Sequence, residues 1–400
     1  MDINTDPQNL KDILTRGVEN VIDKEGLGKK LASGKPLRIK FGIDPTAADI
    51  HLGHSVAMRK LRQFQDLGHT AVLIIGDFTT LIGDPSGRTT SRPPLNAEQI
   101  RDNMKDYINQ AAKVIDIDKA EIHYNSEWFG AKPMSFLMDL AGRFTVARLI
   151  EREDFQKRLK DGADVSMLEL LYPLLQGYDS VAICADVELG GYDQRLNLLF
   201  GRKVQRAFGQ SEQDIMTVPL LIGTDGVKKM SKSVGNYIKI DEEPNKMFAK
   251  VMEIDDKLMW NYFELLTDIK KEEIEILKRG VETEEKHPRD VKMMLAAEIV
   301  KIFHTEVVAG SAIEEFRRVA QKGLLPSDIP TIKINIKEPI NVADILVALG
   351  ATPSKSAARR LSEQNGVKID GVVKNDWQET ISLESGMIVQ VGKSKFFKVA

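Results

Sequence analysis

The chain has 400 residues, of which 42% are hydrophobic and 29% charged, the composition of a globular protein with two or three domains. Its formal net charge of −3 excludes nucleic-acid binding through bulk positive charge but leaves room for a local basic face. The single cysteine excludes an internal disulfide, and neither a signal peptide nor a membrane-spanning apolar run is apparent. We expect a cytoplasmic enzyme or binding protein that does not enter membranes.

The first part of the chain alternates between strand-like and helix-like segments. Strands are predicted at 37–43, 69–78, 180–189 and 215–223, and helices at 54–68, over about 98–180 and from Asp193 onwards. This alternation predicts an α/β fold with a doubly wound parallel (Rossmann-like) sheet covered by helices on both faces. Cys184 would lie in the third strand as a small buried residue.

The pattern changes near residue 240. The chain is helical, with no strand candidate, up to about residue 321, and the next segment has three prolines and no periodicity. The remaining tail combines two short helices with β-like pieces. We therefore predict a catalytic domain at 1–240 with an inserted helical region at about 100–180, a helical domain at 241–321, a linker at 322–336 and a small α+β domain at 337–400.

Two histidines, His51 and His54, lie at the predicted start of the first long helix, in the segment DPTAADIHLGH. They could hold a metal, bind an anion at the helix N-terminus, or simply cap a surface helix. Zinc needs three or four ligands, and although Asp44 and Asp49 are near, the other histidines and the cysteine show no complementary spacing. The pair alone does not decide among these readings.

A lysine-rich loop, TDGVKKMSKSVGN (224–236), follows the predicted strand at 215–223. A solvated basic turn is the plain alternative. The loop, however, lies at the end of the sheet where open α/β folds bind ligands. Ammonium groups and backbone N–H donors would let it close on phosphates, facing the partial positive charge of the histidine-bearing helix. The two segments together predict a phosphate clamp.

HLGH and KMSKS resemble the two signature motifs of class I aminoacyl-tRNA synthetases. Residues 35–240 resemble the bacterial tyrosyl-tRNA synthetases through GIDPTAADIHLGH, IGDPSGR, LLYPLLQGYDS and ELGGYDQ. The tail resembles the small RNA-binding domain, similar to ribosomal protein S-four, that such enzymes carry. The resemblance implies activation of L-tyrosine with ATP to tyrosyl-adenylate and pyrophosphate, followed by transfer to the 3′-terminal adenosine of tRNA(Tyr).

The resemblance also implies roles for individual residues. The catalytic residues would be Thr46, His51, His54, Lys229 and Lys232, contacting the reacting and departing phosphates. ATP binding would involve Gly42, Asp44, Gly53, Asp193, Met230, Ser231 and Ser233. Mg²⁺ would accompany ATP as part of the substrate, with no dedicated protein metal site.

The amino-acid pocket is predicted on one helix face, because Tyr172, Gln176 and Asp179 are spaced at i, i+4 and i+7. A partly polar helix face is the alternative. The resemblance implies that Tyr172 and Gln176 hold the substrate ammonium and that Asp179 accepts from the phenol. Asp84 and Gln194 would join them.

Two residues depart from the family pattern. Lys40 replaces a pocket tyrosine of the better-known branch, so its place among the tyrosine-binding residues is open: it either pairs with Asp179 or points away. Tyr192 replaces a small hydroxyl residue and either narrows the pocket or turns outward. In the loop GRTTSR, Arg88 and Arg92 either contact phosphates or are simply exposed.

The predicted partners are tRNA(Tyr), tyrosine, ATP and a second copy of the chain, the last through helices at about 130–165. The RNA-binding residues would be Lys355, Arg359 and Arg360 on one short helix, with Lys393, Lys395 and Lys398 nearby, a pattern suited to the backbone of structured RNA. Two alternatives remain open: a tryptophanyl-type synthetase, and a non-catalytic RNA-binding relative of the synthetases.

Overall fold

The structure is a computed structural model that describes residues 3–86, 95–321, 324–327, 329–334, 339–392 and 395–400. Arg88, Arg92 and Lys393 lie outside the described residues. The chain forms two compact units, Met1–Ile313 and Glu314–Ala400. The division into three domains and a linker stays a prediction.

The first unit is built on a six-stranded sheet. Its strands are β1 (Asn20–Ile22), β2 (Arg38–Ile43), β3 (Thr70–Ile75), β4 (Glu121–Tyr124), β5 (Val187–Gly191) and β6 (Asp214–Val218). Their order is β1-β6-β5-β2-β3-β4, and every neighbouring pair is parallel except β1 with β6. The strand order reverses between β5 and β2, which is where ligands bind in doubly wound folds. The predicted α/β fold class is confirmed.

Helices cover this sheet and continue beyond it. They are α1 (Pro7–Ile13), α2 (Lys24–Ala32), α3 (Leu52–Asp66), α4 (Ala97–Met104), α5 (Tyr107–Ala112), α6 (Ser126–Phe129), α7 (Met134–Gly142), α8 (Val146–Leu149), α9 (Glu153–Lys160), α10 (Met167–Ala182), α11 (Arg195–Ala207), α12 (Pro244–Glu253), α13 (Met259–Leu266), α14 (Lys271–Glu282), α15 (Pro288–Phe303) and α16 (Glu306–Phe316). None of the helices within the described ranges is long and apolar enough to cross a membrane.

Burial explains why the sheet forms where it does. β3 is a nearly continuous apolar run with both faces covered, the usual character of a parallel strand between two helical layers. Away from the strands, an apolar cluster joins α10 to α7, α9 and α11 through Leu140, Phe155, Leu174 and Val204. This cluster packs α10, the helix that carries the predicted amino-acid pocket, against its neighbouring helices.

The prediction of a strand at 180–189 is wrong over residues 180–186. α10 continues to Ala182, and the strand begins only at Val187. Cys184 lies in the turn between them, with a φ of 50° and an exposed side chain, so it is not a buried strand residue. The apolar run is shared between a helix end, a left-handed turn and a strand, and periodicity cannot separate these. Strand β6 likewise stops at Val218, and β4 was not predicted.

The second unit is a small α+β structure. Its elements are β7 (Thr331–Ile332), β8 (Ile340–Asn341), α17 (Val342–Ala348), α18 (Lys355–Glu363), β9 (Val367–Ile369), β10 (Val372–Val373), β11 (Thr380–Ile381), β12 (Ile388–Val391) and β13 (Lys395–Val399). Five strands form a sheet in the order β10-β9-β12-β13-β7, and β11 pairs with β8. β7, which lies inside the segment expected to be a linker, belongs to this sheet.

Candidate active site

A cavity of about 530 Å³ opens at the carboxyl ends of the central strands of the first unit. The end of β2, the start of α3, one face of α10, the turn after β5 and the lysine loop all contribute to its wall. The predicted site residues that line it are Gly42, Asp44, Thr46, His51, Gly53, His54, Asp84, Tyr172, Gln176, Asp179, Asp193, Gln194, Lys229, Met230, Ser231 and Ser233. Segments far apart in sequence therefore meet around one space.

The two histidines form a stacked pair at the N-terminus of α3. Their ring centroids are 3.7 Å apart, and the His51 backbone N–H donates to His54 Nδ1 at 3.3 Å. A Cβ on Gly53 would lie 3.0 Å from the His51 ring, so a glycine permits this close approach. Burial, reinforced by nearby lysine ammonium groups, lowers the pKa of His51 to about 3. Burial, together with the neighbouring His51, also lowers the pKa of His54 well below its usual value. Both imidazoles are therefore neutral at pH 7, each with one N–H to donate.

The lysine loop faces these histidines. Lys229 Nζ lies 2.7 Å from Asp193 Oδ2, and Lys232 Nζ donates to the Ala47 main-chain oxygen at 3.3 Å. Lys232 itself does not line the cavity wall, although it lies close enough to His51 to depress the pKa of that imidazole. Two cations thus lie at the histidine end of the cavity, where an anionic ligand would neutralise them.

Asn236, which sequence reasoning missed, holds the loop together. Its Nδ2 donates to Asp225 Oδ2 at 3.0 Å and to the Lys229 main-chain oxygen at 3.2 Å, while its Oδ1 accepts from the Ser231 N–H at 2.8 Å. A Cβ on Gly223 would lie 2.2 Å from this amide. The side chain was overlooked because its partners are mostly backbone atoms, which leave no mark in the sequence.

Carboxylates gather at the other end of the cavity. Tyr172 Oη donates to Asp44 Oδ2 at 2.9 Å, and Thr79 Oγ1 donates to Asp44 Oδ1 at 2.8 Å. Burial, together with the nearby Asp84 carboxylate, raises the pKa of Asp44 to about 7. A cation placed among these groups would relieve both the desolvation and the mutual repulsion of the carboxylates.

Asp84 is fixed by two amides. Gln194 Nε2 donates to its Oδ2 at 2.7 Å, and Asn197 Nδ2 donates to its Oδ1 at 3.2 Å. Asn197 in turn accepts from the buried Arg152 guanidinium. Asn197 and Arg152 were not predicted, because they belong to a helix and a loop that have no motif of their own.

Asp179 is buried at the side of the cavity between two donors from the β4–α6 region. Trp128 Nε1 donates to its Oδ1 at 2.9 Å, and Asn125 Nδ2 to its Oδ2 at 3.4 Å. Burial raises the pKa of Asp179 to about 7, although the Lys40 ammonium and these two donors act in the opposite direction. Sequence reasoning missed Asn125 and Trp128 because it did not predict β4, the strand that delivers them.

Lys40 and Tyr192 do not belong to the cavity. The Lys40 side chain is fully buried, and its Nζ lies 2.8 Å from Glu188 Oε1, so its placement among the tyrosine-binding residues is corrected: it makes an ion pair with Glu188. Tyr192 is 49% exposed and is not part of the wall, so it turns outward. Among the described residues, no group of three or more His, Cys, Asp or Glu side chains is arranged to hold a metal.

The predicted RNA-binding residues lie together on α18 of the second unit. Lys355 Nζ is 2.5 Å from Asp344 Oδ1, and Arg359 Nε is 2.7 Å from Glu363 Oε1. The Arg359 guanidinium also lies over the Trp377 ring, 5.7 Å from its centroid. Arg360 is exposed beside them. The structure therefore places three cations on one helix, two of them already paired with carboxylates of the same unit.

Known proteins resemble this chain over most of its length. The family model described as tRNA synthetases class I (W and Y) matches residues 32–321. A tyrosine–tRNA ligase of Burkholderia thailandensis is 52% identical over 392 residues, covering 97% of this chain and 94% of that protein. One from Aquifex aeolicus is 49% identical, covering 98% and 99%, and one from Thermotoga maritima is 47% identical, covering 98% of each.

Solved structures share the fold. A C-terminally truncated mitochondrial tyrosyl-tRNA synthetase of Aspergillus nidulans aligns with a TM-score of 0.67 at 20% identity, covering 78% of this chain and 93% of that one. The tyrosyl-tRNA synthetase of Archaeoglobus fulgidus, complexed with L-tyrosine, aligns with a TM-score of 0.61 at 21% identity, covering 76% and 99%. The family match, the full-length relatives and the shared fold lead to one conclusion: the chain belongs to the class I tRNA synthetases of the W and Y group.

Proposed function

We propose that the chain is a tyrosine–tRNA ligase, which activates L-tyrosine with ATP and transfers the tyrosyl group to the 3′-terminal adenosine of tRNA(Tyr). The observation that carries this proposal is the division of charge in one cavity. Asp44 and Asp84 lie at one end, and two lysines, one of them paired with Asp193, lie with neutral histidines at the other. An amino acid brings an ammonium group and ATP brings polyphosphate, so the two ends match the two substrates. Full-length relatives with this activity support the proposal.

At the acidic end, Asp84, Tyr172 and Gln176 would hold the tyrosine ammonium, because a cation leaving water needs carboxylate and hydrogen-bond partners. Asp179 would accept from the phenol hydroxyl. Phenylalanine lacks that hydroxyl and would leave a buried acceptor unpaired, so the enzyme would reject it. Tryptophan presents an indole N–H at a different place, and the tryptophanyl alternative is therefore not favoured.

At the basic end, the attacking carboxylate of tyrosine is already an anion, so no protein base is needed. Catalysis would come from positioning and from stabilising charge on the α-phosphate and the departing pyrophosphate. Thr46 and His51 would contact the phosphates from one side, and Lys229 and Lys232 from the loop. His54 and Gly53 would lie beneath the nucleotide, with Asp193 near its ribose. Gly42 and Asp44 would approach that ribose from the acidic end of the cavity.

The ATP contacts would extend to the loop residues Met230, Ser231 and Ser233, which line the same end of the cavity. Mg²⁺ would arrive with ATP and neutralise part of the phosphate charge. Because charging of tRNA serves protein synthesis, we place the enzyme in the cytoplasm.

We further propose a homodimer. Large apolar side chains are exposed on α7 and at the start of α10, including Met134, Met138 and Met167. Monomeric proteins rarely leave several such side chains exposed on neighbouring elements, which indicates a covered surface. The second unit would bind tRNA through Lys355, Arg359 and Arg360 on α18.

Amino-acid-dependent exchange of pyrophosphate into ATP tests the proposal. Tyrosine should support exchange, and tryptophan and phenylalanine should not. Exchange with tryptophan alone would establish the tryptophanyl alternative. A complete lack of exchange with any amino acid, by a folded protein that still binds tRNA, would establish the non-catalytic alternative.

A further inference from the structure

A buried ion pair lies beneath the amino-acid end of the cavity. Lys40 and Glu188 are register partners on the neighbouring parallel strands β2 and β5, and their side chains are only 0% and 1% exposed. Neither residue lines the cavity. Taking two charges out of water costs free energy that their attraction barely repays, and apolar replacements of buried pairs are often as stable. Core stability therefore does not account for this pair.

The hydrogen-bonding capacity of the pair is directed at one short stretch of α10. Lys40 Nζ donates to the Gln176 main-chain oxygen at 2.9 Å and to Ser180 Oγ at 2.8 Å, and it lies 2.8 Å from Glu188 Oε1. These contacts use all three ammonium hydrogens. Glu188 in turn accepts from Ser180 Oγ at 3.2 Å, from Gln176 Nε2 at 3.4 Å and from Gln213 Nε2.

Gln176 is the member of this network that reaches the cavity. Because an ionised carboxylate only accepts hydrogen bonds, Glu188 draws the amide nitrogen of Gln176 toward itself. The other end of the amide, Oε1, is buried and finds no hydrogen-bond partner in the described part of the chain. A buried unpaired acceptor is costly, and the N–H of a ligand would satisfy it.

We propose that the Lys40–Glu188 pair orients the Gln176 amide so that its carbonyl oxygen is offered to the ammonium group of the substrate. The proposal rests on the proposed function, since it takes the ligand to be an α-amino acid. Lys40 and Glu188 are positioning residues that act through Gln176. Without the pair, the amide is free to turn its NH₂ group toward the ammonium, which sets a donor against a donor.

The double variant Lys40→Met/Glu188→Met tests this inference by removing both charges while keeping side-chain volume. Equilibrium binding of L-tyrosine is compared with that of 3-(4-hydroxyphenyl)propionate, which lacks the ammonium group. The variant should bind tyrosine about 10-fold more weakly, as expected for loss of one charge-assisted hydrogen bond, and the propionate within about 2-fold of wild type. Adding Gln176→Ala to the double variant should cause no loss beyond that of Gln176→Ala alone.

The buried pair Arg158–Glu169, whose glutamate lies on the same helix, provides the matched control. Its replacement by methionines should leave the ratio of the affinities for tyrosine and for 3-(4-hydroxyphenyl)propionate unchanged. Two results would overturn the proposal: the Lys40/Glu188 variant binds both ligands equally more weakly, or its loss of tyrosine affinity adds to that of Gln176→Ala. Either result would mean that the substitutions only loosen the pocket.

If the double variant does not fold, the isosteric Glu188→Gln variant should give the same result. A glutamine side chain can donate as well as accept hydrogen bonds, so it no longer fixes which end of the Gln176 amide faces it. Failure of the proposed function is a separate result. In that case the wild-type protein does not bind tyrosine, and the amino acid that does bind is compared with its own desamino analogue.

Discussion

Replacement of Asp179 by asparagine should stabilise the fold and weaken tyrosine activation at the same time. Burial raises the pKa of Asp179 from 3.8 to about 7. A group whose pKa is higher in the folded than in the unfolded state favours folding most below its unfolded pKa, and this contribution is lost as the pH rises through 7. About three pKa units at about 1.4 kcal/mol each give about 4 kcal/mol.

Asparagine has nearly the same shape as aspartate and does not ionise. The D179N variant therefore does not lose this stability as the pH rises. Its free energy of unfolding should exceed that of wild type by up to about 4 kcal/mol at about pH 8.5, and the difference should shrink toward zero at about pH 4. The Asp179 charge is the smallest of the causes that shift the Asp44 pKa, so the titration of Asp44 occurs in both proteins and differs little between them. Denaturant unfolding of both proteins across this pH range is the measurement.

The same variant should bind its substrate less well. The phenol hydroxyl loses an acceptor and meets an amide that can present its NH₂ instead, which should raise the KM for tyrosine by about 10- to 100-fold with little change in the KM for ATP. A stability difference that does not change with pH would refute the claim that burial holds the Asp179 pKa high. An unchanged KM for tyrosine would refute its place in the pocket.

Three further predictions concern the other parts of the enzyme. Lys229→Ala should reduce the rate of pyrophosphate exchange by about 100-fold while the KM for tyrosine stays the same, because a cation that contacts the phosphates is lost. Lys228→Ala is the control, since this exposed neighbour does not line the cavity. Equal effects of the two substitutions would contradict the proposed phosphate clamp. Met138→Glu should convert the homodimer to monomer in analytical ultracentrifugation, whereas Val307→Glu on α16, where the side chain is also largely exposed, should not. A wild-type protein that is already monomeric would contradict the proposed interface. Replacing the three α18 cations by alanine should leave pyrophosphate exchange unchanged and raise the KM for tRNA by about 10-fold or more. The affinity for tRNA should also depend less steeply on salt concentration. Unchanged tRNA charging would assign α18 another role.

Residues close together in a motif were predictable from the sequence. The spacing of Tyr172, Gln176 and Asp179 identified one helix face, and the structure places all three on the wall of the cavity. The alternation of strands and helices likewise identified the sheet type. Both depend on local periodicity, which survives into the folded structure because neighbouring positions on one element face the same way.

Residues that act through distant partners were not predictable. Trp128 and Asn125 reach Asp179 from the start of α6, which follows a short strand with no clear alternation, and Asn236 mostly contacts backbone atoms. Lys40 shows the same limit most clearly, since only the register of β2 against β5 reveals Glu188 as its partner. Tertiary pairing of this kind leaves no local signal in a single sequence.

The proposal that this chain charges tRNA(Tyr) is tested most directly by attachment of labelled amino acid to purified tRNA. With ATP and Mg²⁺ present, the 400-residue chain should attach tyrosine to tRNA(Tyr), and it should attach neither tryptophan nor phenylalanine. Attachment of tryptophan to its own tRNA, or formation of adenylate with no transfer to any tRNA, would contradict the account.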